Sequence, residues 1–226
     1  MVGQIVDRFV VVVRDEGIRS ALSKMAVVMR RLLNHQNTDD FDDRLHIETS
    51  KEVSLWRLRI SSKNAKFGYQ YQTTAPSVFC DAIASVLINP QNFTFIDLGS
   101  GKGRTLILAA NSGFKRIMGV EFSPDLAAIA RKNLTQLGVA AEVVEADASN
   151  FTFPDENILV YLYNPFGPSV MKSVAAQLVA WRESNQKAAF IVYVNPTCAD
   201  VFDSSEQFET TSSGPSFRVW KLKIGV

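Results

Sequence analysis

Three glycines at alternate positions, Gly99, Gly101 and Gly103, follow an apolar run that ends at Leu98, and Asp97 lies two places before the first of them. Glycines between a strand and a helix permit positive φ and a close approach of backbone to ligand. The helix that follows aims unpaired N–H groups at that ligand. A phosphate-cradling loop requires glycine, four residues, then Gly-Lys-Ser/Thr; here Gly101-Lys102 is followed by Gly103, and position 96 is Ile. A dinucleotide-binding turn counted from Gly99 would place its third glycine at position 104, which is Arg. Glu121 follows Gly101 by 20 residues, the separation at which an acid on the next strand end accepts hydrogen bonds from ribose hydroxyls.

Positioning these residues requires alternating strands and helices. The pattern predicts strands at 93–98, 115–121, 141–146, 157–163 and 188–194, with helices at 104–111, 124–137 and 167–182. Right-handed crossovers then force a parallel sheet with helices on both faces, and a ligand lies across the carboxyl ends of the strands where their order reverses. Ser123-Pro124 reads as an N-cap followed by a proline at the first helical position. The tail, 208–224, reads as two strands around Ser213-Gly214-Pro215.

The spacing Asp97-Leu-Gly99-Ser100-Gly101-Lys102-Gly103-Arg104 resembles motif I of the class I, seven-strand S-adenosylmethionine-dependent methyltransferases. Gly119-Val-Glu-Phe-Ser123, Glu145-Ala-Asp-Ala148 and Tyr163-Asn-Pro-Phe166 follow in order and look like that family's next motifs. The resemblance implies an α/β fold, a doubly wound and mostly parallel seven-strand sheet ending in an antiparallel hairpin. It implies S-adenosyl-L-methionine as cofactor, with Gly99, Ser100 and Gly101 under its methionine part and Asp97 orienting its ammonium. Glu121 would hold the ribose, Phe122 and Ala148 would sandwich the adenine, and Asp147 would accept from the adenine amine. Tyr71 and Thr73 are similar to a Tyr and a hydroxyl residue that close over the methionine end in some bacterial relatives; packing of Tyr69 and Tyr71 at the domain seam is the alternative.

Asn164-Pro165-Phe166 is similar to the Asn/Asp-Pro-Pro-Tyr/Phe motif of methyltransferases that act on nitrogen, with one proline missing. There the polar side chain and a backbone carbonyl accept from the target N–H while the aromatic ring stacks on it. The missing proline counts against a flipped DNA base and leaves an amine, including a protein lysine, as the expected acceptor. The group that shares this motif combination has no assigned substrate, and the seven-strand protein-lysine methyltransferases are more distantly similar. A cofactor-binding module without turnover, a nicotinamide-dependent oxidoreductase and an aminopropyltransferase are the alternatives.

Composition bounds the rest. At 226 residues, with 46% hydrophobic content, the chain can bury one substantial core. A net charge of +1 argues against a nucleic-acid partner, which calls for a basic excess. Cys80 and Cys198 lack metal-type spacing, no metal is expected, and both are expected to be reduced. No secretory pattern and no spanning apolar run is present, so a cytoplasmic location is expected. Apolar residues at helical spacing predict two helices over 4–33, broken at Gly17, with a cationic face from Arg8 to Arg31. That face is read as solvated, with a membrane-surface or partner-binding role as the alternative. Residues 34–50, rich in Asp, read as an exposed connector that closes an N-terminal helical extension at 1–50. The methyltransferase-like domain is expected over 51–226, with a strand at 53–60 and a helix at 76–87. His35 and His46 are read as surface histidines, and Lys102 and Arg104 as facing either an acidic ligand or solvent.

Overall fold

A computed structural model of the protein describes residues 40–50 and 73–223. The helices expected in 4–33, the strand at 53–60, His35 and Tyr71 lie outside the described residues.

The elements run α1 (Phe41–Leu45), α2 (Pro76–Ala84), β1 (Thr94–Leu98), α3 (Arg104–Asn111), β2 (Arg116–Glu121), α4 (Pro124–Gln136), β3 (Glu142–Glu145), β4 (Ile158–Tyr163), α5 (Pro168–Ser184), β5 (Ala189–Val194), α6 (Asp200–Asp203), β6 (Phe208–Ser213) and β7 (Phe217–Leu222). The seven strands form one sheet in the order β3-β2-β1-β4-β5-β7-β6. Strands β1 to β5 pair in parallel, and β7 pairs antiparallel with both β5 and β6. The doubly wound sheet with its closing hairpin is therefore as expected.

Each face of the sheet carries its own core because successive strand side chains point to opposite sides. Ile96 and Leu98 of β1 pack on one side with Val160 and Leu162 of β4 and with Val170, Val174 and Leu178 of α5. Phe95 faces the other side with Phe79 of α2, Leu106 of α3 and Ala127 and Ala130 of α4. Phe79 sits 5.8 Å from the Phe95 ring and 5.4 Å from that of Tyr161, so α2 is clamped over the centre of the sheet. Chain order reverses between β1 and β4, which places a crevice at their carboxyl ends.

The acidic stretch before residue 51 corrects the expectation of an exposed connector for the residues described there. Phe41 and Thr49 are buried, and Asp42 pairs with Arg104 of α3 at 3.0 Å. Asn133 and Gln136 of α4 donate to the Glu48 and His46 carbonyls at 3.1 and 2.6 Å, while His46 itself is exposed. Composition suggested solvent; pairing with cations some sixty residues later decides otherwise.

Candidate active site

Gly99, Gly101 and Gly103 all adopt positive φ, at +87°, +54° and +86°. The turn is held from below by β2: the Gly99 and Ser100 amides donate to the Val120 carbonyl at 2.8 and 3.1 Å. Gly119 lets the turn settle there, since a Cβ at that position would lie 2.6 Å from Ser100 Oγ. The buried Ser100 hydroxyl has no hydrogen-bond partner among the described residues.

Glu121 ends β2 and is 2% exposed. Its Oε2 accepts from the Gly101 amide at 2.8 Å and its Oε1 from the Ser123 amide at 2.9 Å. One carboxylate thus ties the glycine turn to the cap of α4, where Ser123 Oγ accepts from Leu126 N as the Ser-Pro pair predicted. Burial pushes the Glu121 carboxyl up to about 7, against the backbone hydrogen bonds from Ser123 and Gly101 that lower it. Asp97, 3% exposed, likewise rises to about 7 through burial; a hydrogen bond from the Thr105 hydroxyl opposes this, and the nearby Glu121 adds to it.

Asp147 N-caps a short 3-10 turn, its Oδ1 accepting from the Ser149 amide at 2.9 Å and hydroxyl at 2.7 Å. Ala148 is buried beside it, and Phe122 is half-buried at the start of the β2–α4 turn. Thr73 is half-buried just before α2, and its neighbour Thr74 accepts from the buried Tyr161 hydroxyl of β4 at 3.2 Å.

At the end of β4, Asn164 takes a left-handed φ of +40°. Its Oδ1 accepts from the Tyr193 hydroxyl at 3.2 Å and from the Thr197 hydroxyl at 2.5 Å, both contributed by β5 and the turn after it. Burial pushes the Tyr193 hydroxyl up to about 12, so it remains a proton donor at neutral pH. That second turn repeats the first: Asn195-Pro196 follows β5 as Asn164-Pro165 follows β4, and Asn195 also has positive φ, at +47°. Pro165 lies against the glycine turn, where a Cβ on Gly99 would meet Pro165 Cβ at 2.7 Å and Phe166 Cζ at 3.7 Å. Phe166, expected to offer a ring to the acceptor, is instead 7% exposed and packed in the core with Leu98, Val170 and Met171. The missing second proline leaves the aromatic residue one position earlier than in the resembled motif, and here that position points inward.

The sequence-derived residues Asp97, Gly99, Ser100, Gly101 and Glu121 thus come together on two adjacent strands, with Asn164 and Pro165 on the third. Thr105, Tyr193 and Thr197 were missed; only the second Asn-Pro pair hinted at the last two. Lys102 and Arg104 do not enter the cradle. Lys102 Nζ bonds Glu48 at 2.8 Å and the Arg104 guanidinium holds Asp42, Thr49 and Ser50. What remains in the cradle is a pair of buried carboxyls, Asp97 bonded by the Thr105 hydroxyl and Glu121 by the Gly101, Ser123 and Phe122 amides. A cationic ligand carrying a vicinal diol, as S-adenosylmethionine does, fits that donor set.

Residues 95–183 match a family model described as a methyltransferase domain. No curated protein matches the sequence. A candidate RNA methyltransferase from Pyrococcus horikoshii superposes with a TM-score of 0.54 at 14% identity, covering 85% of this chain and 100% of that one. A SAM-dependent O-methyltransferase from Thermotoga maritima gives 0.52 at 16% identity, covering 69% of this chain and 68% of that one. An RNA methyltransferase from Salinibacter ruber, in complex with S-adenosyl-L-homocysteine, gives 0.45 at 26% identity, covering 67% of this chain and 93% of that one. The first two share this class I, Rossmann-like fold, and the stretch that resembles a methyltransferase domain, residues 95–183, spans the strands that build the cradle.

Proposed function

We propose that this protein is an S-adenosylmethionine-dependent methyltransferase that delivers its methyl group to a nitrogen, on an amine or a protein lysine. The observation that carries the reading is Asn164, a polar amide held by two hydroxyls at the end of β4, in a turn packed against Gly99.

When bound, the cofactor supplies a sulfonium methyl open to in-line displacement, so placing the acceptor supplies much of the acceleration. Gly99, Ser100 and Gly101 make room for the methionine part, with Thr73 beside it and Asp97 drawing its ammonium. Glu121 holds the ribose hydroxyls, Phe122 and Ala148 flank the adenine, and Asp147 accepts from its amine. Asn164 Oδ1 and a carbonyl of the same turn accept from the target N–H. The Thr197 side chain is exposed and its hydroxyl rotates, so an incoming N–H takes its place on Oδ1 while Tyr193 keeps the amide oriented. Pro165 holds the turn against the cofactor loop, and Phe166 anchors it in the core rather than stacking on the acceptor. Tyr193 stays protonated and is not the base; an ammonium acceptor loses its proton to water before transfer.

The test is methyl transfer from tritiated S-adenosylmethionine into separated protein, nucleic-acid and metabolite fractions, followed by hydrolysis of the labelled product. We expect label as an N-methyl group. Asn164→Ala should lose at least about a hundredfold in turnover while S-adenosylhomocysteine affinity stays within about twofold. Label recovered as a methyl ester or on carbon would overturn the nitrogen reading, and label confined to RNA would overturn the amine and lysine one. Unchanged turnover would remove Asn164 from the site.

A further inference from the structure

The two cations beside the cofactor loop are held from outside it, by a segment that precedes the first strand. Arg104 opens α3, one residue after Gly103, with its side chain 8% exposed. Its Nη2 reaches Asp42 Oδ1 at 3.0 Å and Ser50 Oγ at 2.5 Å, its Nε reaches Thr49 Oγ1 at 2.7 Å, and its guanidinium lies 4.7 Å over the Phe41 ring. Asp42 is prepared for this contact. It accepts from the Thr49 and Ser50 amides at 2.5 Å each and from the Thr49 hydroxyl, and these bonds outweigh burial to hold its carboxyl down at about 2. Lys102, fully buried, bonds Glu48 at 2.8 Å, and Asn133 Nδ2 bridges the carbonyls of Glu48 and Lys102 at 3.1 Å each. Lys102 and Arg104 flank Gly103, and Lys102 directly follows Gly101, whose amide is bound to Glu121.

We infer that residues 41–50 are a positioning element for S-adenosylmethionine: Asp42, through Arg104, fixes the glycine turn in the form that offers Gly101 to Glu121. Asp42 and Glu48 also draw two positive charges away from the cradle, which leaves Asp97 and Glu121 to face a cationic ligand. None of these N-terminal residues needs to touch the cofactor. The inference rests on the glycine turn and Glu121 being the cofactor site.

Calorimetric titration of the full-length protein with S-adenosylhomocysteine at 25 °C tests it, alongside thermal unfolding. Asp42→Asn should weaken affinity about tenfold. Arg104→Lys keeps the charge but loses the forked contact and should weaken it about fivefold; the double variant should be no weaker than the worse single one within about twofold. Asp42→Glu should recover part of the loss. In proton–nitrogen correlation spectra without ligand, Asp42→Asn should shift the Gly101 and Gly103 amides and leave Val219 of β7 in place. A lowered unfolding temperature with unchanged affinity and unshifted glycine amides would reduce the segment to a structural clamp and overturn the inference. If Asp42→Asn does not fold, Ser50→Ala at an exposed position and Arg104→Lys decide by the same two readouts. Failure of the cofactor site itself looks different: Glu121→Ala would then bind as wild type does.

Discussion

Glu121 carries two tasks on one carboxylate, tying the Gly101 amide to the Ser123 amide and, on the proposed reading, accepting from the ribose hydroxyls. Removing it loosens the turn and deletes the ribose acceptor together. We therefore expect Glu121→Ala to lower S-adenosylhomocysteine affinity at least about a hundredfold, since a charged hydrogen-bond acceptor is lost along with the loop geometry. Gly101→Val should do the same, because a β-branched residue at φ +54° is strained. Calorimetry returning wild-type affinity for both would refute the assigned pocket. At this scale the sequence was legible where geometry depends on local spacing: Asp97, the glycines and Glu121 lie within one βαβ unit and are brought side by side. The partners that set their properties were not. Thr105 on Asp97 is the second residue of α3, and Tyr193 and Thr197 reach Asn164 from 29 and 33 residues downstream.

The turn after β4 and the turn after β1 are packed as one body, because Pro165 fills the space a side chain on Gly99 would need. Gly99→Ala combines a clash at 2.7 Å with a φ of +87°, and we expect it to cost about 1–3 kcal/mol in chemical denaturation. Because the clash displaces Pro165, it should also lower turnover more than cofactor affinity; an equal loss in both would mean that the two turns are independent. Element boundaries from 76 onward were readable within a few residues, since buried parallel strands are continuous apolar runs and α4 announces itself with Ser123-Pro124. Helix α1 was not readable. Its sequence is mostly charged, and its one buried residue, Phe41, lies under the Arg104 guanidinium of α3, which no local pattern encodes. Four-residue α6 is too short to show a period.

The buried acids couple the whole molecule to pH. Asp97 and Glu121 rise from ordinary values of 3.8 and 4.5 to about 7, so between those limits the folded protein without cofactor binds more protons than the unfolded chain. Their contribution to stability is then fully present below about pH 4 and is lost as pH climbs through 7. Cofactor binding favours both charged forms, so affinity for S-adenosylhomocysteine should tighten roughly tenfold from pH 6 to pH 8, with protons released into the buffer. Titrations in buffers of different ionisation enthalpy count those protons, and a flat profile with no release would show that neither carboxyl ionises on binding. Among the described residues no helix is long and apolar enough to cross a membrane. Strand β7 lies between β5 and β6 and so zips into a slot whose outer rail precedes it in the chain. During translation β6 therefore has no ladder to join until Phe217–Leu222 has left the ribosome. Until then the outer edge of β5 stays bare, which makes the nascent sheet most open to misassociation in the interval before synthesis of this strand is complete.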